Sequence, residues 1–147
     1  MNHSATLNIH LFATLFMVGL IWFIQIVHYP MLGDVGASDF VRFEQIHQQR
    51  TTWVVMPVML LEFAIAAYFL FNRPAHVPAL VVYIAFAILL GVWATTFFLS
   101  VPCHNVLSQG FDAVAHRKLV LTNWFRTIGW TARGFLAIWM ATVGNRY

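Results

Sequence analysis

Residues 7–28 read LNIHLFATLFMVGLIWFIQIVH, 22 positions without an aspartate, glutamate, lysine or arginine. As a helix rising about 1.5 Å per residue, such a run spans roughly 33 Å, enough to cross about 30 Å of hydrocarbon. Lipid offers the backbone no hydrogen-bond partners, so a spanning segment has to satisfy its own, as a helix does. Residues 52–71, 78–100 and 119–143 are predominantly apolar runs of comparable length. The expected fold is all-α: an integral membrane four-helix bundle forming one domain over residues 1–147. Composition agrees, with 61% hydrophobic and 9% charged residues; a soluble domain has roughly 45–50% and about 25%. The first run is too long for a cleaved signal sequence, lacks a basic leader, and is followed by His28-Tyr29-Pro30 instead of small residues. It is expected to stay as an anchor.

Several function classes fall away at this level. The net charge of +3 is scattered, with no Lys/Arg block, so no nucleic-acid partner is expected. Cys103 is the single cysteine, which excludes an internal disulfide, a CxxC redox pair and a thiolate zinc cluster. The expected partners are the lipid bilayer, a lipophilic small molecule and a second copy in a homodimer.

Proline punctuates the runs. Tyr29-Pro30, Asn72-Arg73-Pro74 and Val101-Pro102 are expected to stop the first three helices, and Pro78 to start the third. Helices 2 and 3 are then joined by a short hairpin at 73–77, and the two longer loops share the opposite side. In the first long loop, Ser38 can cap a short interfacial helix with an apolar side of Phe40, Phe43 and Ile46. In the second, residues 112–118 extend helix 4, with Asp112 and His116 placed as a surface pair. The long-loop side carries Arg42, Arg50, Arg117 and Lys118, against Arg73 and Arg146 on the other. The positive-inside rule places the long loops in the cytoplasm and both termini outside. Tyr29, Trp53 and Tyr147 suit interfacial positions.

Ionisable residues within spans cost about 2.5–3.5 kcal/mol each at the bilayer centre and therefore point to function or to pairing. Here they are Glu62, Arg126 and Arg133. On helix 4, His116, Asn123, Arg126, Trp130 and Arg133 recur at helical spacing and define one polar stripe. Glu62 lies between the two arginines in depth, so either can be its partner in a buried ion pair. One glutamate cannot neutralise two arginines, and the excess positive charge favours an anionic or carbonyl-bearing ligand. Arg126, Asn123 and Glu62 are the candidate catalytic residues, and Arg126, Arg133 and Trp130 the candidate substrate contacts.

A second cluster gathers at the long-loop end. His28, Glu44, His47, His104 and His116 all fall there. Glu44-Gln45-Ile46-His47 has the Glu-x-x-His spacing that puts two ligands on one helix face. His28, Glu44, His47 and His104, with Glu62 as a further carboxylate, form a mixed nitrogen and oxygen set suited to iron, copper or zinc. A haem between His28 and His104 is the less favoured cofactor, since no c-type attachment motif is present. The competing reading makes each histidine an interfacial hydrogen-bonding residue, and Cys103 a spectator.

At His28-Tyr29-Pro30, Pro102-Cys103-His104-Asn105-Val106-Leu107 and Asn123-Trp124-Phe125-Arg126, the chain resembles small four-helix bacterial membrane proteins of the anthrone-oxygenase-like group. The resemblance implies a bacterial inner-membrane oxidoreductase acting on an apolar aromatic substrate, with Asn105, Asn123 and Arg126 as the matching polar positions. The histidine-rich end departs from that group's cofactor-free chemistry. The functional expectation is a membrane oxidoreductase for a lipophilic carbonyl or aromatic substrate. Its rival is a non-catalytic subunit or small-solute carrier.

Overall fold

The computed structural model describes residues 3–143 and is all-helical there. Four rods make up the chain: α1, His3–Asp34; α2, Phe40–Phe71; α3, Ala79–Leu107; and α4, Ala113–Val143. Helices α1, α2 and α3 are long and apolar enough to cross a membrane. Helix α4 is as long but less apolar on average, because its polar side is turned inward. Asn123, Arg126, Trp130 and Arg133 are buried, while Leu121, Phe125, Ile128, Phe135 and Ile138 stand exposed. Averaging over the two faces conceals an apolar outer surface.

The rods pack as a square in which α4 contacts α1 and α3, and α2 contacts the same two neighbours. Helices α2 and α4 thus sit on a diagonal, and their polar side chains meet across the centre. Close approach around α4 depends on two glycines. A Cβ on Gly129 would stand 2.7 Å from Val92 Cγ2 on α3, and one on Gly134 would stand 3.0 Å from Val18 Cγ2 on α1.

The prolines do not stop α1 and α3. Each helix instead widens into a π-turn just ahead of its proline: Ile24–His28 before Tyr29-Pro30, and Thr96–Ser100 before Val101-Pro102. The Tyr29 N–H reaches back to the Ile24 carbonyl, and the Val101 N–H to that of Thr96. A proline ring in a regular helix collides with the carbonyl four residues earlier; the widened turn relieves that collision, and the chain remains helical to Asp34 and Leu107. Pro57 likewise sits within an uninterrupted α2.

Several further expectations are corrected. The segment expected as a separate interfacial helix is the first part of α2, a 32-residue rod of about 48 Å that overshoots the hydrocarbon by several turns. Ser38 does not cap it, since its hydroxyl donates to the Asp39 carboxylate, and the connections at 35–39 and 108–112 are short. Asp112 Oδ1 accepts the Ala115 N–H at 2.7 Å, capping α4, while the His116 ring leaves the surface to contact the Tyr29 carbonyl at 2.8 Å. Tyr29 is buried within the bundle instead of sitting at its interface, whereas Trp53 is exposed. Arg146 and Tyr147 lie outside the described residues.

Candidate functional site

At the end of the bundle where α1 and α3 finish and α2 and α4 begin, three helices send histidines to one point. Glu44 and His47 lie one turn apart on α2, and His104 projects from the last turns of α3. One donor atom from each lies within 4.8 Å of the other two. Glu44 is fully buried. Its Oε1 meets His104 Nδ1 at 2.6 Å and accepts from Gln48 Nε2 at 3.1 Å. Its Oε2 is buried without a hydrogen-bond partner. His104 Nε2 meets the Tyr29 hydroxyl at 3.1 Å. His47 Nδ1 meets His28 Nε2 at 2.7 Å and the Thr51 hydroxyl at 3.1 Å, so its other nitrogen is left for a different partner.

This donor set fits a metal. Two imidazoles and one carboxylate with open positions are a recognised preference of non-haem ferrous sites, and zinc accepts the same donors. Donors about 2.0–2.2 Å from a cation stand roughly 3 Å apart. The unpartnered Glu44 oxygen is a donor that the surrounding protein does not use.

Next to this group is a cavity of about 150 Å³. Tyr29, His47, Gln48, Thr51, Ser100, His104 and Arg126 supply its polar wall; Ile24, Val55, Met56, Met59, Phe97 and Val101 supply the apolar one. Arg126 is 5% exposed. It donates through Nη1 to Asn123 Oδ1 at 3.1 Å and to the Ser100 hydroxyl at 3.4 Å, and lies 5.4 Å over the Trp130 ring. Its Nε is buried without a partner. Among the described residues no carboxylate pairs with it. Asn123 is fixed in turn by donating to Gln25 Oε1 at 2.9 Å.

Glu62 and Arg133 belong to a different part of the molecule. Eighteen residues separate Glu62 from Glu44 on one helix, about 27 Å along its axis. Glu62 Oε1 accepts from Arg133 Nε at 3.0 Å, Arg133 Nη2 at 2.9 Å and the Thr14 hydroxyl at 2.9 Å; Oε2 accepts from Trp130 Nε1 at 3.0 Å. Arg133 also donates to the Ala85 carbonyl and contacts His10 Nε2 at 3.3 Å. All these donors are spent inside the protein, and the space beside Arg133 is about 10 Å³.

The structure therefore divides the residues singled out from sequence. Glu44, His47 and His104 come together, with His28 hydrogen-bonded to His47. Arg126 and Asn123 stand one layer deeper, Arg126 in the cavity wall and Asn123 as its hydrogen-bond partner. Glu62 and Arg133 form a structural pair, so Glu62 reaches neither the histidines nor the cavity. Trp130 bridges the two regions, beneath Arg126 and bonded to Glu62. Asn105 is exposed and offers its carbonyl to Ser108, which places it outside the cavity. Sequence reading passed over Tyr29, Ser100 and Thr51, which complete the polar wall. Their helical spacing carried a signal: Ser100 and His104 lie one turn apart on α3, as do His47 and Thr51 on α2.

No family model matches the chain, and no curated protein or solved structure matches it either.

Proposed function

We propose that the chain is a membrane-embedded oxidoreductase with a transition-metal centre held by Glu44, His47 and His104, most simply iron, acting on a lipophilic carbonyl or aromatic substrate in the adjoining cavity. The observation that carries this reading is the meeting of two imidazoles and a buried carboxylate within 4.8 Å, at the wall of a cavity that also contains an unpaired arginine. The metal would supply redox or Lewis-acid chemistry. His28 would orient His47 as an outer hydrogen-bond partner, the role commonly filled beside a metal-bound imidazole. Arg126, positioned by Asn123 and Ser100, would hold a substrate carbonyl or developing oxyanion. In this reading the protein sits in a bacterial inner membrane with the site end cytoplasmic, as the loop cations favour.

The rival functions fit the geometry less well. A subunit docking through its polar stripe would present that stripe outward, whereas Asn123, Arg126, Trp130 and Arg133 are all buried within the single chain. A carrier needs a passage beyond Arg126 past Arg133, and that level is filled by the Glu62 network. A haem needs far more room than about 150 Å³.

Metal analysis of detergent-purified protein, with His47→Ala and His104→Ala alongside, tests the proposal. Near-stoichiometric iron, copper or zinc in the parent, lost in both variants while both remain folded, is the expected result. A metal-free parent that takes up no added ferrous, cupric or zinc ion would overturn it.

A further inference from the structure

We propose that the cavity takes the single ring of a membrane-soluble quinone or quinol, which enters sideways from the lipid between α2 and α3. The proposal rests on the reading of this end of the bundle as a redox site and adds what that site would bind.

Size comes first. A cavity of about 150 Å³ matches one that accommodates a benzene ring. A three-ring ketone, the substrate shape implied by the anthrone-oxygenase resemblance, exceeds it. The polar groups are also divided along the cavity. Ser100 and His104 lie four residues apart on α3, about 6 Å along the axis. Ser100 stands with Arg126 at the deep level and His104 with the Glu44 carboxylate at the outer level, the Tyr29 hydroxyl lying between them within reach of both His104 and Arg126. Hydrogen-bonding stations one helical turn apart suit a ring with oxygens at opposite positions. Arg126 lines the cavity, is nine-tenths buried and, among the described residues, has no carboxylate partner, so the deep station offers an uncompensated cation to a carbonyl or phenolate oxygen. Val55 and Met59 provide a buried apolar floor and Met56 a partly exposed lip, and methionine adapts well to ring faces and edges.

The route of access follows from which lining residues are exposed. Thr52 on α2 and Phe97 and Val101 on α3 line the cavity and are also exposed on the outside of the bundle. The gap between them faces the bilayer, so a ring can lodge inside while its tail remains among the lipid chains. The π-turn at Thr96–Ser100 supplies the α3 side of this opening through Thr96, Phe97 and Ser100.

Calorimetric titration of nanodisc-embedded protein with 1,4-benzoquinone, its reduced quinol, and 9,10-anthraquinone tests the proposal, with metal content measured on the same samples. We expect saturable binding of the single-ring pair at one per chain. Met56→Trp, which fills the cavity from its lip, and Arg126→Gln should each weaken binding at least tenfold, and anthraquinone should not compete. Phe135→Ala on the outer face of α4 should leave binding unchanged. If Arg126→Gln fails to fold, Met56→Trp decides alone. Absence of saturable binding by the folded parent, insensitivity to Met56→Trp, or equal binding of anthraquinone overturns the proposal. Metal without ring binding would sink this inference and spare the metal centre; ring binding without metal would do the reverse.

Discussion

Replacing Glu62 with alanine should be the most destabilising single change in the bundle, and its size follows from the carboxylate's surroundings. Four hydrogen bonds of 2.9–3.0 Å end on Glu62, and Arg133 is 1% exposed. In Glu62→Ala the guanidinium keeps the Ala85 carbonyl but has no counter-charge, in surroundings that cannot hydrate it. Breaking a buried pair from one side costs about 3–5 kcal/mol, roughly two to three and a half powers of ten in the folding equilibrium. Glu62→Met combined with Arg133→Met removes both charges, and an apolar replacement of a whole pair is often neutral within about 1 kcal/mol or stabilising. The double variant should therefore regain most of what Glu62→Ala loses. Arg126→Met breaks no ion pair and only two hydrogen bonds of 3.1 and 3.4 Å, so its cost should be about 1–2 kcal/mol. Equilibrium unfolding in mixed dodecylmaltoside and dodecyl sulfate micelles, followed by circular dichroism, reads all three. A cost below about 1 kcal/mol for Glu62→Ala, or a double variant no more stable than Glu62→Ala, would refute the assignment of Glu62 and Arg133 as a closed structural pair.

Two other expectations concern packing and orientation. Gly129→Ala should lower stability by about 1–3 kcal/mol in the same micelles, because the added methyl would stand 2.7 Å from Val92 Cγ2. Gly91→Ala meets nothing within 4 Å and should be neutral or stabilising by up to about 1 kcal/mol. In a Cys103→Ser background, Gln109→Cys should react with a membrane-impermeant maleimide only from the cytoplasmic side and Ala75→Cys only from the opposite side; the reverse pattern would invert the proposed topology.

Much of this architecture was legible in the sequence because lipid imposes simple rules. Runs of apolar residues located all four rods. The spacing of Asn123, Arg126, Trp130 and Arg133 identified the inward side of α4, and Glu-x-x-His placed Glu44 and His47 on one face. What the sequence left open depended on tertiary geometry. Glu62 lay between two arginines in depth, and only the rotation of α2 against α4 assigns it to Arg133. Pro30 and Pro102 read as stops because a π-turn has no compositional signature. Tyr29 read as an interfacial anchor for the same reason: if α1 ended there, its ring would lie at the surface, whereas the continued helix carries it onto His104. Thr14 and His10, both in the Glu62 network, were indistinguishable from ordinary polar residues within a hydrophobic run.

The two π-turns have a consequence for symmetry. In α1 and in α3 the widened turn ends two residues before the proline, and each helix then passes through a short connection into a long partner. Among the described residues the chain is thus two helical hairpins that run in the same order and lie side by side, α1 against α4 and α2 against α3. The cavity lies between the hairpins, and each lends its π-turn to the wall: Ile24 from one, Thr96, Phe97 and Ser100 from the other. Equivalent backbones carry unequal side chains there, with the carboxylate and one imidazole of the metal-fitting group supplied by the first hairpin and the other imidazole by the second. Neither half can assemble the site alone. The 72–78 connection keeps the halves together without entering the cavity, so a chain cut there retains every residue the site needs.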